Sequence, residues 1–196
     1  MSTTTLRINP NGPANAFVAK VEKVSGQKLL ACYQCGKCSA GCPLAADMDY
    51  PPSLVLRMLQ TGQSRLEEKV LRSFGIWLCL TCETCIARCP QEVDIPKLMD
   101  YLRGESLIRR KVNPRARDII RFHRSFLDSI YYTGRLFEVG LIADYKARSK
   151  KWFQDVLLAP KMYAKGKLHL FPEMIAGKSH VSRIFRKTLR KEEKVR

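Results

Sequence analysis

Apolar positions along this chain recur mostly at helical spacing, in short stretches opened by proline or closed by glycine. Between Asn15 and Ser25, Phe17, Val18, Val21 and Val24 fall at helical spacing. That spacing predicts a helix with Asn15 as its N-cap and Gly26 just past its end. A strand through Phe17, Ala19 and Val21 is the alternative for the same segment. Pro51-Pro52-Ser53 predicts the start of a second helix through Leu54, Leu56 and Leu59, closed at Gly62. Ser64 and Glu67 have the spacing of a capping box, ahead of Leu66, Val70, Leu71 and Phe74 on one face. Asp94-Ile95-Pro96 opens another helix, through Leu98, Met99, Tyr101 and Leu102, with Gly104 at its end. From Arg115 to Tyr132, an apolar stripe of Ile119, Phe122, Phe126, Leu127 and Ile130 runs among Arg115, Arg117, Arg121 and Arg124. This is the pattern of a basic amphipathic helix. Beyond it, Trp152 to Leu158 and Leu168 to Ile175 are apolar patches broken by Pro160, Gly166 and Pro172, too interrupted for a core of their own. No apolar run approaches the ~18 residues needed to span a bilayer.

Cysteine changes the picture. All eight cysteines lie in two runs, Cys32-Tyr-Gln-Cys35-Gly-Lys-Cys38-Ser-Ala-Gly-Cys42-Pro43 and Cys79-Leu-Thr-Cys82-Glu-Thr-Cys85-Ile-Ala-Arg-Cys89-Pro90. Both read C-x2-C-x2-C-x3-C-P, the run with which bacterial-type ferredoxins hold [4Fe–4S] cubes. Three thiolates so close in sequence can wrap three corners of one cube, and the proline after the fourth turns the chain away. In two-cluster ferredoxins the fourth cysteine ligates the other cluster. The expected ligand sets are therefore Cys32, Cys35, Cys38 and Cys89 for one cluster, and Cys79, Cys82, Cys85 and Cys42 for the second. Gly36 and Gly41 are expected to give close backbone approach and an unusual φ. Tyr33, Trp77 and Ile86 are expected to shield a cube from water. Lys37, Glu83 and Arg88 either bias the cluster potentials or are solvated turn residues. Structural zinc usually takes well-separated C-x2-C pairs, and disulfides need an oxidising compartment. Neither fits two identical runs in a chain whose N-terminus lacks a signal-peptide pattern, so the expected location is cytoplasmic.

Compact ferredoxins join their runs by a shorter, strand-containing connection, whereas two helices are predicted between these runs. The expected fold class is therefore mainly α: an α-helical ferredoxin domain binding two [4Fe–4S] clusters, with a basic, mostly helical or irregular C-terminal extension. Residues 1–14, rich in Ser, Thr, Asn and Pro, read as a flexible arm; 15–110 form the cluster domain; 111–196 form the extension. Charge supports that division. Up to Arg110 there are 14 Lys and Arg against 10 Asp and Glu, and from Lys111 onward 21 against 8, so +13 of the net +17 lies in the extension. Each four-thiolate cluster carries a formal charge of about −2, which leaves the cluster domain nearly neutral.

What is missing narrows the function further. With all eight cysteines assigned to cubes, none remains as a nucleophile or redox disulfide. There is no G-x-G-x-x-G fingerprint and no P-loop. His123, His169 and His180 all fall in the extension and join no other ligand set, which makes them surface or interface residues. No catalytic residue is expected, only the passage of electrons.

The paired runs, the helical linker and Leu30-Ala31-Cys32-Tyr33-Gln34-Cys35-Gly36-Lys37-Cys38 resemble the C-type component of heterodisulfide reductase. Phe122-His123-Arg124-Ser125-Phe126-Leu127-Asp128-Ser129 and Gly166-Lys167-Leu168 are similar to its bacterial members, some of which belong to complexes of sulfur oxidation. The resemblance covers roughly residues 15 to 187. It implies a relay subunit between a flavin- and cluster-bearing A subunit and a cysteine-rich B subunit that acts on a disulfide or related sulfur substrate. A rival is the cluster-bearing component of a membrane-associated respiratory dehydrogenase, such as anaerobic glycerol-3-phosphate or succinate dehydrogenase, passing electrons toward quinone. There the extension would dock to the membrane or to a membrane partner. Nucleic-acid binding by the basic tail is the weakest alternative, since no recognised motif accompanies it.

Overall fold

Helix α7 (Ile95–Ile108) is the element on which the first half of the chain is assembled. Ile95, Leu98, Met99 and Leu102 recur at helical spacing and are fully buried, each such side chain worth about 1.5–3 kcal/mol relative to exposure. Asp94 caps the helix, accepting the Lys97 N–H at 2.9 Å, and Pro96 sits in the first turn, where its missing N–H costs nothing. The computed structural model describes residues 13–150, 152, 158–166, 171–172 and 174–195. Every regular element among them is helical. The expected arm of residues 1–14 lies almost wholly outside the described residues, as do His169 and parts of the two apolar patches near residues 153–157 and 167–170.

Two compact units divide the chain at Ala116/Arg117. In the first, α1 (Pro13–Ser25) packs on α7 through Phe17 and Val21, while Val24 is exposed. It is the helix expected there, not the strand. It starts two residues before the expected Asn15 cap and closes at Gly26, whose N–H reaches the Glu22 carbonyl at 2.9 Å. A 3-10 turn (Leu29–Ala31) leads into the first cysteine run, which contains α2 (Lys37–Ala40). Helices α3 (Pro52–Gln60) and α4 (Ser64–Leu71) fill the linker, burying Val55, Leu56, Met58, Leu59, Val70 and Leu71. Then α5 (Gly75–Leu78) enters the second run, which contains α6 (Thr84–Ala87).

Two expectations need correction. Ser64 and Glu67 make no capping box: α4 is capped by the backbone of Gln63 with no side-chain bond, and Ser64 is its first helical residue. Glu67 instead pairs with Arg109 at 2.5 Å, so a tertiary ion pair takes the side chain that the local motif would have used. Gly104 does not end its helix either; α7 continues one more turn to Ile108. That last turn carries Glu105 and Ser106, both buried, and Ser106 donates to the Leu71 carbonyl at 2.8 Å. Its packing outweighs the ~1 kcal/mol that glycine costs inside a helix.

The second unit is a hairpin of α8 (Arg117–Thr133) and α9 (Glu138–Ser149), with α11 (Lys178–Val195) packed on α8 and α10 (Leu158–Ala164) between them in sequence. Its contacts are aromatic edges and polar links. Phe122 meets Tyr145 at 5.9 Å and Tyr131 meets Phe185 at 5.8 Å, both edge-on. Arg148 bridges Asp128 and Asp144, each at 2.7 Å. Of the large apolar side chains described in this unit, Leu141 alone is buried, while Phe122, Leu127, Tyr132 and Ile184 stay exposed. No described helix is long and apolar enough to cross a membrane.

Candidate iron-sulfur centre

The two cysteine runs wind alike. Gln34 and Thr81, each preceding the second cysteine of its run, have φ of 64° and 53°, and Gly36 and Glu83, each following it, have 77° and 61°. Left-handed backbone is costly for any residue with a Cβ and most for a β-branched one such as Thr81. Repeating it at equivalent positions of both runs marks a geometry that function imposes. The two glycines of the first run serve different needs. Gly36 has the positive φ but open space around it, whereas a Cβ on Gly41, at an ordinary φ of −98°, would lie 2.6 Å from the Arg88 side chain. Arg88 of the second run thus lies across the backbone of the first, where α2 packs against α6.

The fourth cysteine of the first run crosses to the second. A cleft partly open to solvent is lined by Cys42 together with Cys79, Cys82 and Cys85. Leu44, Met48 and Ile95 form its apolar wall, with Pro43, Pro52 and Pro96. The expected shields, Tyr33, Trp77 and Ile86, do not line it. Trp77 is buried with its indole N–H unpartnered, Ile86 is half-buried and Tyr33 is exposed. Ile95 reads in the sequence only as part of a helix start, and Leu44 and Met48 carry no signal there. On the other side, the Tyr33 phenol is pushed up by desolvation first and then by the charges of Cys35, Cys89 and Cys32.

The thiol environments are graded. Burial pushes Cys85 up to about 11, with the neighbouring Cys79 thiolate adding to it. Burial also raises Cys79 and Cys38. Cys82 goes the other way, lowered by the Thr84 hydroxyl at 3.5 Å. Half-buried thiols so close together resist ionising unless a cation compensates, and a bound metal deprotonates a thiol outright. Polar hydrogens already point at sulfur: Gln34 Nε2 lies 3.5 Å from Cys32 Sγ and Val93 N–H lies 3.4 Å from Cys89 Sγ. Among the described residues no three His, Cys, Asp or Glu side chains converge closely enough for a single metal ion. The cleft thiols surround a space instead, the arrangement a multi-iron group with corner ligands requires. The donor set and its spacing fit a cube.

His123 and His180 lie exposed on α8 and α11, away from any cysteine in sequence. Lys37, Glu83 and Arg88 are all exposed.

Residues 28–93 match the model of the 4Fe-4S dicluster domain. Such a domain takes two [4Fe–4S] clusters, and the eight cysteines of the chain are the number that both require. The chain is similar to the iron-sulfur component C of the CoB–CoM heterodisulfide reductase of Methanopyrus kandleri, 45% identical over 65 residues, which are 33% of this chain and 32% of the relative. It is similar to component C of the H(2):CoB-CoM heterodisulfide,ferredoxin reductase of Methanothermobacter thermautotrophicus, 30% identical over 90 residues, 46% of this chain and 47% of the relative. To component C of the ferredoxin:CoB-CoM heterodisulfide reductase of Methanosarcina mazei it is 29% identical over 100 residues, 51% of this chain and 60% of the relative. The chain thus spans between a third and three fifths of the length of these relatives.

Proposed function

We propose that this chain is the iron–sulfur electron-transfer subunit of a heterodisulfide-reductase-like complex. It relays electrons between a flavin- and cluster-bearing A-like subunit and a cysteine-rich B-like subunit acting on a disulfide or related sulfur substrate. The observation that carries the reading is the cleft shared by Cys42 with Cys79, Cys82 and Cys85, within a segment that matches a dicluster domain. The ligand sets we assign are Cys32, Cys35, Cys38 and Cys89 for one cluster and Cys42, Cys79, Cys82 and Cys85 for the other. When bound, the clusters take up and release single electrons.

The chain's own residues hold, insulate and present these sites. Leu44, Met48 and Ile95 exclude water from one side of the second site. Each run also keeps one cysteine exposed, Cys35 and Cys82, beside exposed apolar side chains: Leu30 at 75% and Tyr33 at 59%, and Leu80 at 65%. Exposed ligands flanked by apolar surface suit a partner that must bring its own centre close to each cluster. The membrane-bound respiratory reading draws on the basic amphipathic α8, with Phe122, Leu127 and Tyr132 exposed.

Anaerobic reconstitution should yield about eight irons and eight sulfides per chain. Two zincs without sulfide would overturn the assignment. A chain ending at Ala116 should retain both cluster signals by EPR yet lose co-purification with the A-like or B-like subunit, because the second unit supplies apolar anchors within a positive field. If that chain keeps its protein partners and loses binding only to anionic vesicles, the membrane reading takes precedence.

A further inference from the structure

The two runs are held by equivalent side chains of different charge. In the first, Gln60 of α3 donates from Nε2 to the carbonyls of Leu29, at 2.8 Å, and Cys32, at 2.7 Å. In the second, Arg103 of α7 donates from Nε to the Ile76 carbonyl at 2.6 Å and from Nη2 to the Cys79 carbonyl. Each anchor therefore grips the first cysteine of its run and the residue three before it. One anchor is a neutral amide and the other a guanidinium. Gln60 also accepts from Gln34 Nε2 at 3.1 Å, the same amide that reaches Cys32 Sγ, so the side chains that hold the first cysteine of this run are both neutral amides.

We infer that Gln60 and Arg103 are paired positioning residues, and that Arg103 in addition raises the reduction potential of the cluster held by Cys79, Cys82, Cys85 and Cys42, a bias that Gln60 does not give the other. The inference rests on the ligand sets proposed above. A cluster gains negative charge on reduction, so a fixed nearby cation favours the reduced form. Burial decides which cations matter. Lys37, Arg88 and Glu83 lie within the runs but are exposed, where water and salt screen them. The Arg103 side chain is only 19% exposed, whereas its ion-pair partner Asp100, at 2.9 Å, is 60% exposed and so offsets that charge only in part. The carbonyl bonds are the same in both redox states; what differs is the attraction of the guanidinium for the added charge, and a nearby opposite charge shifts a charging equilibrium by about tenfold or more.

The test uses the full-length, reconstituted chain and an EPR-monitored redox titration, with the second cluster's signal assigned by its loss in Cys82→Ser. Arg103→Gln, which copies the first site's anchor, should lower that cluster's reduced-to-oxidised ratio about tenfold at fixed ambient potential. The first cluster should titrate unchanged. Asp100→Asn touches no carbonyl of the run and should shift the same ratio the opposite way, which keeps the idea testable if Arg103→Gln fails to load its cluster. Arg103→Lys should restore the ratio. Unmoved potentials in both Arg103→Gln and Asp100→Asn, at full iron content, would overturn the role of Arg103. A wild-type chain without about eight irons would instead overturn the ligand assignment beneath it.

Discussion

Cys89→Ala is expected to remove the cluster of Cys32, Cys35 and Cys38 while sparing the one beside it. Cys89 belongs by sequence to the second run, yet Cys32, Cys35 and Cys89 all act on the Tyr33 phenol. Iron should fall from about eight to about four per chain, and one of two EPR signals should vanish. The melting temperature should fall too, because binding free energy at a metal site adds to folding free energy. The helices of the first unit should survive, since their packing rests on buried Val21, Leu56, Leu71, Ile76, Leu98 and Leu102 rather than on thiols. Loss of the signal that also disappears in Cys82→Ser would reverse the ligand sets.

Glu105→Gln should cost about 2 kcal/mol of stability, read from urea unfolding of the loaded protein. Glu105 is 4% exposed on α7. Its carboxylate meets Lys20 of α1 at 2.5 Å and Arg109 at 2.9 Å. Arg109 in turn pairs with Glu67 of α4 and lies over the Phe17 ring, 4.6 Å from its centre. Glu105 and Arg109 together therefore tie α7 to both α1 and α4. The Lys20 side chain is 53% exposed and that of Arg109 36%, so both cations can turn to water when the carboxylate goes. That holds the loss below the roughly 3–5 kcal/mol of a fully buried pair. Burial works to raise the Glu105 pKa, but hydrogen bonds and charge from Lys20 and Arg109 outweigh it and leave it lowered. A carboxyl whose folded pKa lies below its unfolded value of about 4.3 stabilises above that value and loses its contribution as pH falls through the folded one. Wild type and variant should therefore differ by the same amount at pH 6 and pH 8. A gap that closes by pH 6 would show that Glu105 titrates far above its lowered range.

Cluster chemistry and most of the helices were legible in the chain before it was folded. Cysteine spacing is a local property, and the thiols of a run can wrap a cube only because the chain between them is so short. Helix periodicity is local as well, and so Pro52, Asp94 and Gly26 were readable as boundaries. The charge step falls at residue 110/111 and the packing step at Ala116/Arg117, because composition follows function loosely while contacts follow the last turn that packs. The remaining features depended on contacts between distant residues. Gln60 meets Cys32 across 28 residues and Arg103 meets Cys79 across 24, separations that no periodicity encodes. Glu67 reads as half of a capping box until Arg109, 42 residues away, claims it. Gly104 reads as a helix end until the buried turn beyond it is packed. The anchors were hidden for the same reason: a glutamine and an arginine on predicted helices look like solvated side chains until folding brings a free carbonyl within reach of each.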